Sequence, residues 1–221
     1  MLKNIFKLFA LSALVVVTLQ ANFTENQKIE TSMNILKNSD IKIPSKILKN
    51  AQAIVIIPNL KKGGFLLNGS YGVGVLSIKN SDGSWSDPSF VTFKNLSFGL
   101  QAGVNSTDAI MIFETKRGLD GIEDGKATIS YNVGVTIVKN GESVSRKTDG
   151  KLSANIYLFG KSSGLLLNFM SAGSGVLYVN DEMNDKYYDT LVNTQNLLSG
   201  YTQSHKKQVE EFKNILSNFV K

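Results

Sequence analysis

Residues Ala51–Phe113 read AQAIVIIPNLKKGGFLLNGSYGVGVLSIKNSDGSWSDPSFVTFKNLSFGLQAGVNSTDAIMIF. Short apolar runs such as Ala53–Ile57, Phe65–Leu67 and Tyr71–Ile78 follow one another with glycines inside them. Glycine normally weakens a strand, so its repeated use there marks bends, bulges or close backbone approach. Lys61 and Lys62 stand before a double glycine, and the single tryptophan, Trp85, lies in a polar turn followed by Ser86, Pro88 and Phe90. This pattern predicts a sheet that is bent and approached closely, presenting a basic, partly apolar surface rather than a catalytic centre.

Working outward, Ala53–Ile57 is a buried-strand run that Pro58-Asn59 is expected to stop. Phe65–Leu67, Tyr71–Ile78, Phe90–Phe93 and Asp108–Phe113 read as further strands, with Ser81–Ser84 as a turn. Ala127–Val138 alternates, Asn140-Gly141 is a strong hairpin signal, and Ser153–Phe159, Leu165–Phe169 and Gly175–Val179 complete the strand-like region. On the N-terminal side, Thr24–Asn38 has helical spacing of Ile29, Met33 and Leu36, with Thr24 and Gln27 placed as a capping box. Pro44–Asn50 suits a second short helix, with Lys46 and Lys49 opposite Ile47 and Leu48. Two helices are expected to close the chain, Lys186–Ser199 and Ser204–Val220, the second striped by Val209, Phe212, Leu216 and Phe219. The expected fold is α+β: a single domain with a curved, barrel-like, mainly antiparallel sheet, N-terminal helices and C-terminal helices.

The chain has 221 residues, 42% of them hydrophobic and 19% charged, enough for one well-buried core. Cysteine is absent, which excludes disulfides, thiol nucleophiles and Cys-ligated metals. Lys3 and Lys7 followed by the apolar run Phe9–Leu19 read as a signal peptide over residues 1–21, too short for a comfortable membrane span, with 22–221 as the mature domain. Export to the periplasm or envelope is therefore expected. The formal net charge is +6; removing the two signal lysines leaves 24 − 2 = 22 basic against 18 acidic residues, or +4. The excess is local. Between Thr31 and Asn80 stand Lys37, Lys42, Lys46, Lys49, Lys61, Lys62 and Lys79, with Asp40 the only acid. Such a segment suits an anionic surface, or is simply a solvated basic face.

No constellation for catalysis assembles. Gly69-x-x-Gly72-x-Gly74 lies within a strand pattern and reverses the dinucleotide fingerprint, and Lys62-Gly63-Gly64 lacks the end of a phosphate loop. His205 is the one histidine, so neither a Ser-His-Asp triad nor a histidine metal site can be completed. Asp181, Glu182 and Asp185 do not have calcium-loop spacing, and Asp120, Glu123 and Asp124 sit in a Gly-rich turn. No catalytic residue, cofactor or metal is expected, and nucleic acid is an unsuitable partner for an exported chain. Trp85, Phe90, Tyr157, Tyr187 and Tyr188 neighbour turns or strand ends, where they serve either as interfacial anchors beside Lys61 and Lys62 or as packing.

In their order along the chain these elements resemble the SYLF domain family. The matching residues are the AIVIIPNLKKGGF block, Gly72-x-Gly74-Val75-Leu76, Asp82-Gly83-x-Trp85-Ser86-x-Pro88-x-Phe90, Gly99-x-Gln101-x-Gly103 with Asp108, Ile156-Tyr157-x-Phe159 with Ser162-x-Gly164-Leu165, and Asn184-x-x-Tyr187-Tyr188. The resemblance spans about Ile29–Leu198. It implies a non-enzymatic lipid-binding module; eukaryotic members bind phosphoinositides and are linked to actin and membrane remodelling, and bacterial members are often exported. It makes Lys42, Lys46, Lys49, Lys61 and Lys62, with Trp85 beside them, the expected contacts to an anionic phospholipid or other envelope lipid at a membrane surface. Phosphatidylglycerol, cardiolipin and lipopolysaccharide are the chemically sensible ligands for an exported protein. The alternative is a periplasmic structural or protein-interaction module without a lipid ligand. This sequence departs from the family at Asn68-Gly69, at Lys139-Asn140-Gly141 and at Phe159, which stands where a tyrosine is usual.

Overall fold

The computed structural model describes residues 23–38, 41, 43–131, 136–139, 142–148, 155–162, 173–189, 194–199 and 206–221. The expected signal segment, Lys42, the turn residues Asn140 and Gly141, the expected strand Leu165–Phe169 and His205 lie outside the described residues.

The chain enters through helix α1 (Glu25–Asn38) and the short helix α2 (Ser45–Lys49). The expected capping box forms reciprocally: the Gln27 N–H donates to Thr24 Oγ1 at 3.3 Å, and the Thr24 N–H donates to Gln27 Oε1 at 2.9 Å. Two first-turn donors that the helix itself cannot satisfy are thereby paired.

Two long strands follow, β1 (Ala53–Ile78, 26 residues) and β2 (Ser89–Phe113, 25 residues), paired antiparallel. The separate short strands expected from the sequence are segments of these two. Pro58-Asn59 does not end β1. The register shifts between Ile57 and Leu60, Asn59 takes φ 53°, and its N–H donates to the Asp108 carboxylate at 3.0 Å. Proline, which cannot donate to the ladder, is tolerated at such a bulge. A second register shift lies between Gly64 and Leu66.

A strand of this length drawn straight would reach roughly 85 Å at about 3.3 Å per residue, so the β1–β2 ribbon must curl. It folds back until its ends meet: the Lys79 N–H donates to the Gln52 carbonyl at 2.8 Å, and the Gln52 N–H to the Phe113 carbonyl at 2.7 Å. Gly74 is where the ribbon passes closest to itself. A Cβ there would lie 2.0 Å from the Ile56 carbonyl oxygen. The sequence's use of glycine inside strands is thus explained by self-approach at this position.

The free side of β2 is divided. Its first half, Val91–Ser97, pairs with β7 (Gly173–Val179), and its last part, Thr107–Phe113, pairs with β6 (Asn155–Ser162). Strand β3 (Lys126–Tyr131) adds to β7, while β5 (Glu142–Thr148) adds to β6 and β4 (Thr136–Lys139) to β5. All seven strands form one antiparallel, curled sheet in the order β3-β7-β2-β6-β5-β4 with β1 on β2. The alternating run expected over Ala127–Val138 is therefore two strands at opposite edges. Lys139 pairs with Glu142 across β4 and β5.

At Ala53–Ile57 the sheet is buried on both faces, which is why AIVII reads as a continuous apolar run. The concave face packs Val55, Ile57, Leu76, Phe93, Met111, Phe113, Leu158 and Leu177 together. The convex face, through Ile54, Ile56, Val75, Phe90, Ile110 and Phe159, lies under the helices. Those helices are α1, α3 (Asp181–Tyr188), α4 (Thr194–Leu198) and α5 (Lys207–Phe219). The single helix expected at Lys186–Ser199 is two. The first begins earlier because Asn180 Oδ1 accepts the Met183 N–H at 3.1 Å, with Asp181 and Glu182 in the favourable first turn. In α5, Val209, Phe212 and Leu216 are buried as their spacing predicts.

Candidate functional site

The residues expected to meet a lipid surface divide into two sets. Lys46 and Lys49 are exposed on α2, a helix with no fully buried residue, while its Ile47 and Leu48 rest half-buried against the convex-face core. Lys61 is half-buried on β1 opposite Ser106. Lys62 and Trp85 are inside. Lys62 is 7% exposed, and desolvation holds its ammonium pKa below the ordinary lysine value. Trp85 is 3% exposed, part of the convex-face core, and bridges Lys79 across the turn. The expected surface tryptophan is therefore a core residue: its turn is polar, but the side chain points back under the helices.

The turn before it is held locally. Asp82 accepts the Ser84 N–H at 2.9 Å and the Ser84 hydroxyl at 2.6 Å, and these two bonds hold its carboxyl below the usual carboxylate range. Gly83 takes φ 85°, a left-handed conformation that favours glycine.

The densest polar cluster lies just beyond, where the Asp87–Phe90 segment meets α3 and α5. Asn184, 1% exposed, accepts the Phe90 N–H at 2.7 Å and donates to Ser89 Oγ at 3.2 Å. The Tyr188 hydroxyl donates to the Pro88 carbonyl at 2.7 Å, and the Tyr187 hydroxyl donates to Gln208 Oε1 at 3.1 Å. The Tyr187 ring stands edge-on to Phe90 at 5.4 Å and to Tyr188 at 4.9 Å. Asp87, 2% exposed, pairs with Lys213 at 3.1 Å, and Lys213 also reaches Glu210 at 3.3 Å. Burial, with the nearby Asp87 charge, pushes the Tyr187 phenol up to about 12 and raises Tyr188 still further. Burial opposes the Lys213 charge, but its carboxylate partners outweigh that and raise its pKa.

This arrangement clamps rather than reacts. Both phenols donate to fixed oxygens and the carboxylate is ion-paired. No group of three His, Cys, Asp or Glu residues among the described residues is arranged to hold a metal. The Asn-x-x-Tyr-Tyr and Trp-Ser-x-Pro-x-Phe motifs are thus the two halves of one structural clasp. Sequence reading missed Asp87 and Lys213 as a pair, since nothing in a single sequence links residues so far apart.

A groove of about 400 Å³ lies between α1 and α5, lined by Glu30, Met33, Lys37, Lys207 and Glu211 among others, and spanned by the Lys37–Glu211 ion pair at 3.0 Å. No helix among the described residues is long and apolar enough to cross a membrane.

Comparison with known proteins places this scaffold. A family model, Ysc84, described as a Las17-binding protein actin regulator, matches residues 94–219, more than half of the chain. The chain belongs to the Ysc84/SYLF family. It is 31% identical over 171 residues to Protein YSC84 of Saccharomyces cerevisiae, covering 76% of this chain and 36% of that protein. It is 27% identical over 179 residues to the human SH3 domain-containing YSC84-like protein 1, covering 80% of this chain and 52% of that one. The chain thus spans about a third to a half of the length of these relatives. A β-barrel-like protein from Brucella abortus aligns at 16% identity and TM-score 0.41, over 72% of this chain and 94% of that one. The description of the family is that of a binding and regulatory protein rather than of an enzyme.

Proposed function

We propose that this Ysc84-family chain is an exported, non-enzymatic binding domain that attaches to an anionic lipid surface of the cell envelope. The observation that carries the reading is α2. Lys46 and Lys49 are exposed on it, Ile47 and Leu48 remain only partly covered, and the surrounding segment from Thr31 to Asn80 contains seven lysines and one acid. A short basic element with half-covered apolar residues has the composition of an interfacial contact. Each lysine near an anionic surface contributes about 1 kcal/mol. Lys61 adds to this set from β1, and Lys42 adjoins it in sequence. Lys62 and Trp85 are buried and lie outside this set.

The test is cosedimentation of the mature chain with phosphatidylglycerol-containing vesicles at low salt. Binding above that to neutral phosphatidylcholine vesicles, lost in the Lys46→Glu/Lys49→Glu/Lys61→Glu variant, supports the reading. Equal sedimentation with both vesicle types refutes it. Lys62 is left unchanged because an acid at a buried position would perturb folding.

The description of the family as a Las17-binding actin regulator favours a second reading, a protein-interaction domain without a lipid ligand. Its mark is a purified partner that is retained when the three exposed lysines are reversed.

A further inference from the structure

Away from the helix layer, the convex face of the sheet is open across β1, β2, β7 and β3. Register places Tyr71 opposite Lys94, Thr92 opposite Tyr178, and Lys126 opposite Tyr178 on its other side. These residues share the face of Phe90 and Val75 rather than that of Phe93 and Leu76. The Lys94 ammonium lies 5.2 Å from the centroid of the Tyr178 ring and 6.0 Å from that of Tyr71. Lys94, Lys126 and Thr128 are exposed, and Tyr178, at 38%, is the one exposed large hydrophobic side chain among the described residues.

The contrast with the helix layer is informative. There Lys37 pairs with Glu211, Lys186 with Glu25, Lys206 with Asp189 and Lys213 with Asp87, so those ammonium groups serve the fold. Among the described residues neither Lys94 nor Lys126 is paired with a carboxylate. Lys94 is instead steered by two rings. That contact orders the side chain in advance and leaves its N–H donors available, so an anion is bound at a smaller entropic cost. Tyrosine beside lysine suits a layer that is apolar on one side and anionic on the other.

We propose that this Tyr71–Lys94–Tyr178–Lys126 face is a second contact with the anionic headgroup layer, distinct from α2; the proposal rests on the membrane reading above. The test uses the full mature chain and vesicles of phosphatidylcholine with about one-third phosphatidylglycerol. Lys94→Gln with Lys126→Gln should lower the partition coefficient about thirtyfold, in line with two lysine–surface contacts. Tyr178→Trp should shift its emission to the blue on vesicle addition, against the buried Trp85 of the unsubstituted protein as baseline. Unchanged melting of both variants shows that the fold is intact. If the unsubstituted protein binds but the double variant binds equally and the new tryptophan does not respond, this face is not a contact, while the membrane reading stands. If the unsubstituted protein prefers no anionic vesicle, the membrane reading fails and the inference with it. If Tyr178→Trp responds to soluble polyglutamate but not to vesicles, the face belongs to an acidic protein partner and the lipid assignment is overturned.

Discussion

Of Gly69, Gly72 and Gly74 in β1, Gly74 is where a methyl addition should be most damaging. The ideal Cβ lies 2.0 Å from the Ile56 carbonyl oxygen and 2.8 Å from both the Ile56 carbonyl carbon and the Ile57 Cα, whereas ordinary contact begins at 3.4 Å. The blocking atoms are backbone, in a segment whose Ile56 and Ile57 pair with Ile110 and Ala109, so no side-chain rotation relieves the clash. Overpacking a filled interior costs about 1–3 kcal/mol, and a backbone obstacle places this case at about 3 kcal/mol or above. That is a large part of the roughly 5–15 kcal/mol that holds a domain folded. Gly69→Ala in the same strand is the control. Its nearest neighbour, the Asn95 carbonyl, is 4.0 Å away. Removing glycine's backbone freedom there should be neutral or stabilise by about 0.5–1 kcal/mol. Urea unfolding followed by circular dichroism and by Trp85 fluorescence measures both. A Gly74→Ala protein within about 1 kcal/mol of the unsubstituted one would refute the claim that the β1–β2 ribbon folds back on itself at this point.

Three further outcomes follow from the clasp and the first helix. Asp87→Ala should destabilise by about 3 kcal/mol, as breaking a buried ion pair does, with Glu210 retaining part of the Lys213 interaction; chemical denaturation checks it. Stability should fall in alkali. The Tyr187 phenol is raised from 10 to about 12, so its contribution is fully present below pH 10 and is lost as pH rises through 12, on the order of 2–3 kcal/mol. Lys213, also raised, acts in the same direction above its ordinary value of 10.5. Tyr187→Phe should flatten this alkaline loss, measured as melting temperature against pH. Thr24→Ala should cost about 1 kcal/mol through loss of the capping box, while Thr24→Ser should cost little.

Much of the fold was legible because it depends on local pattern. Thr24 with Gln27 specified the start of α1, and Val209, Phe212 and Leu216 marked the buried stripe of α5. Glycines inside apolar runs pointed to a bent sheet. The continuity of β1 through Pro58-Asn59 was not legible, because the bulge is completed by Asp108 on the neighbouring strand. Nor was the division of Ala127–Val138 between two edges of the sheet, since alternation states a strand's faces but not its neighbours. Trp85 misled for a related reason: polar residues around it describe the turn's backbone, not the direction of its ring.

The candidate site was legible as composition and not as geometry. The basic excess of the Thr31–Asn80 segment is plain, but exposure separates Lys46 and Lys49 from Lys62. Lys94 and Tyr178 belong to ordinary alternating strands, and only their register across β2 and β7 brings them together. Two of the family motifs, Trp-Ser-x-Pro-x-Phe and Asn-x-x-Tyr-Tyr, form the clasp around Asp87 and Asn184, so these residues maintain the scaffold and the exposed lysines carry the proposed contact.

The central claim is attachment to an anionic lipid surface, and the most direct measurement is vesicle cosedimentation as the phosphatidylglycerol fraction is raised from zero at fixed low salt, then repeated at high salt. The account predicts binding that climbs steeply with the anionic fraction and is largely released by salt, because exposed charges are screened within about a Debye length. Binding that is absent throughout, or that is the same on neutral and anionic vesicles, would contradict it.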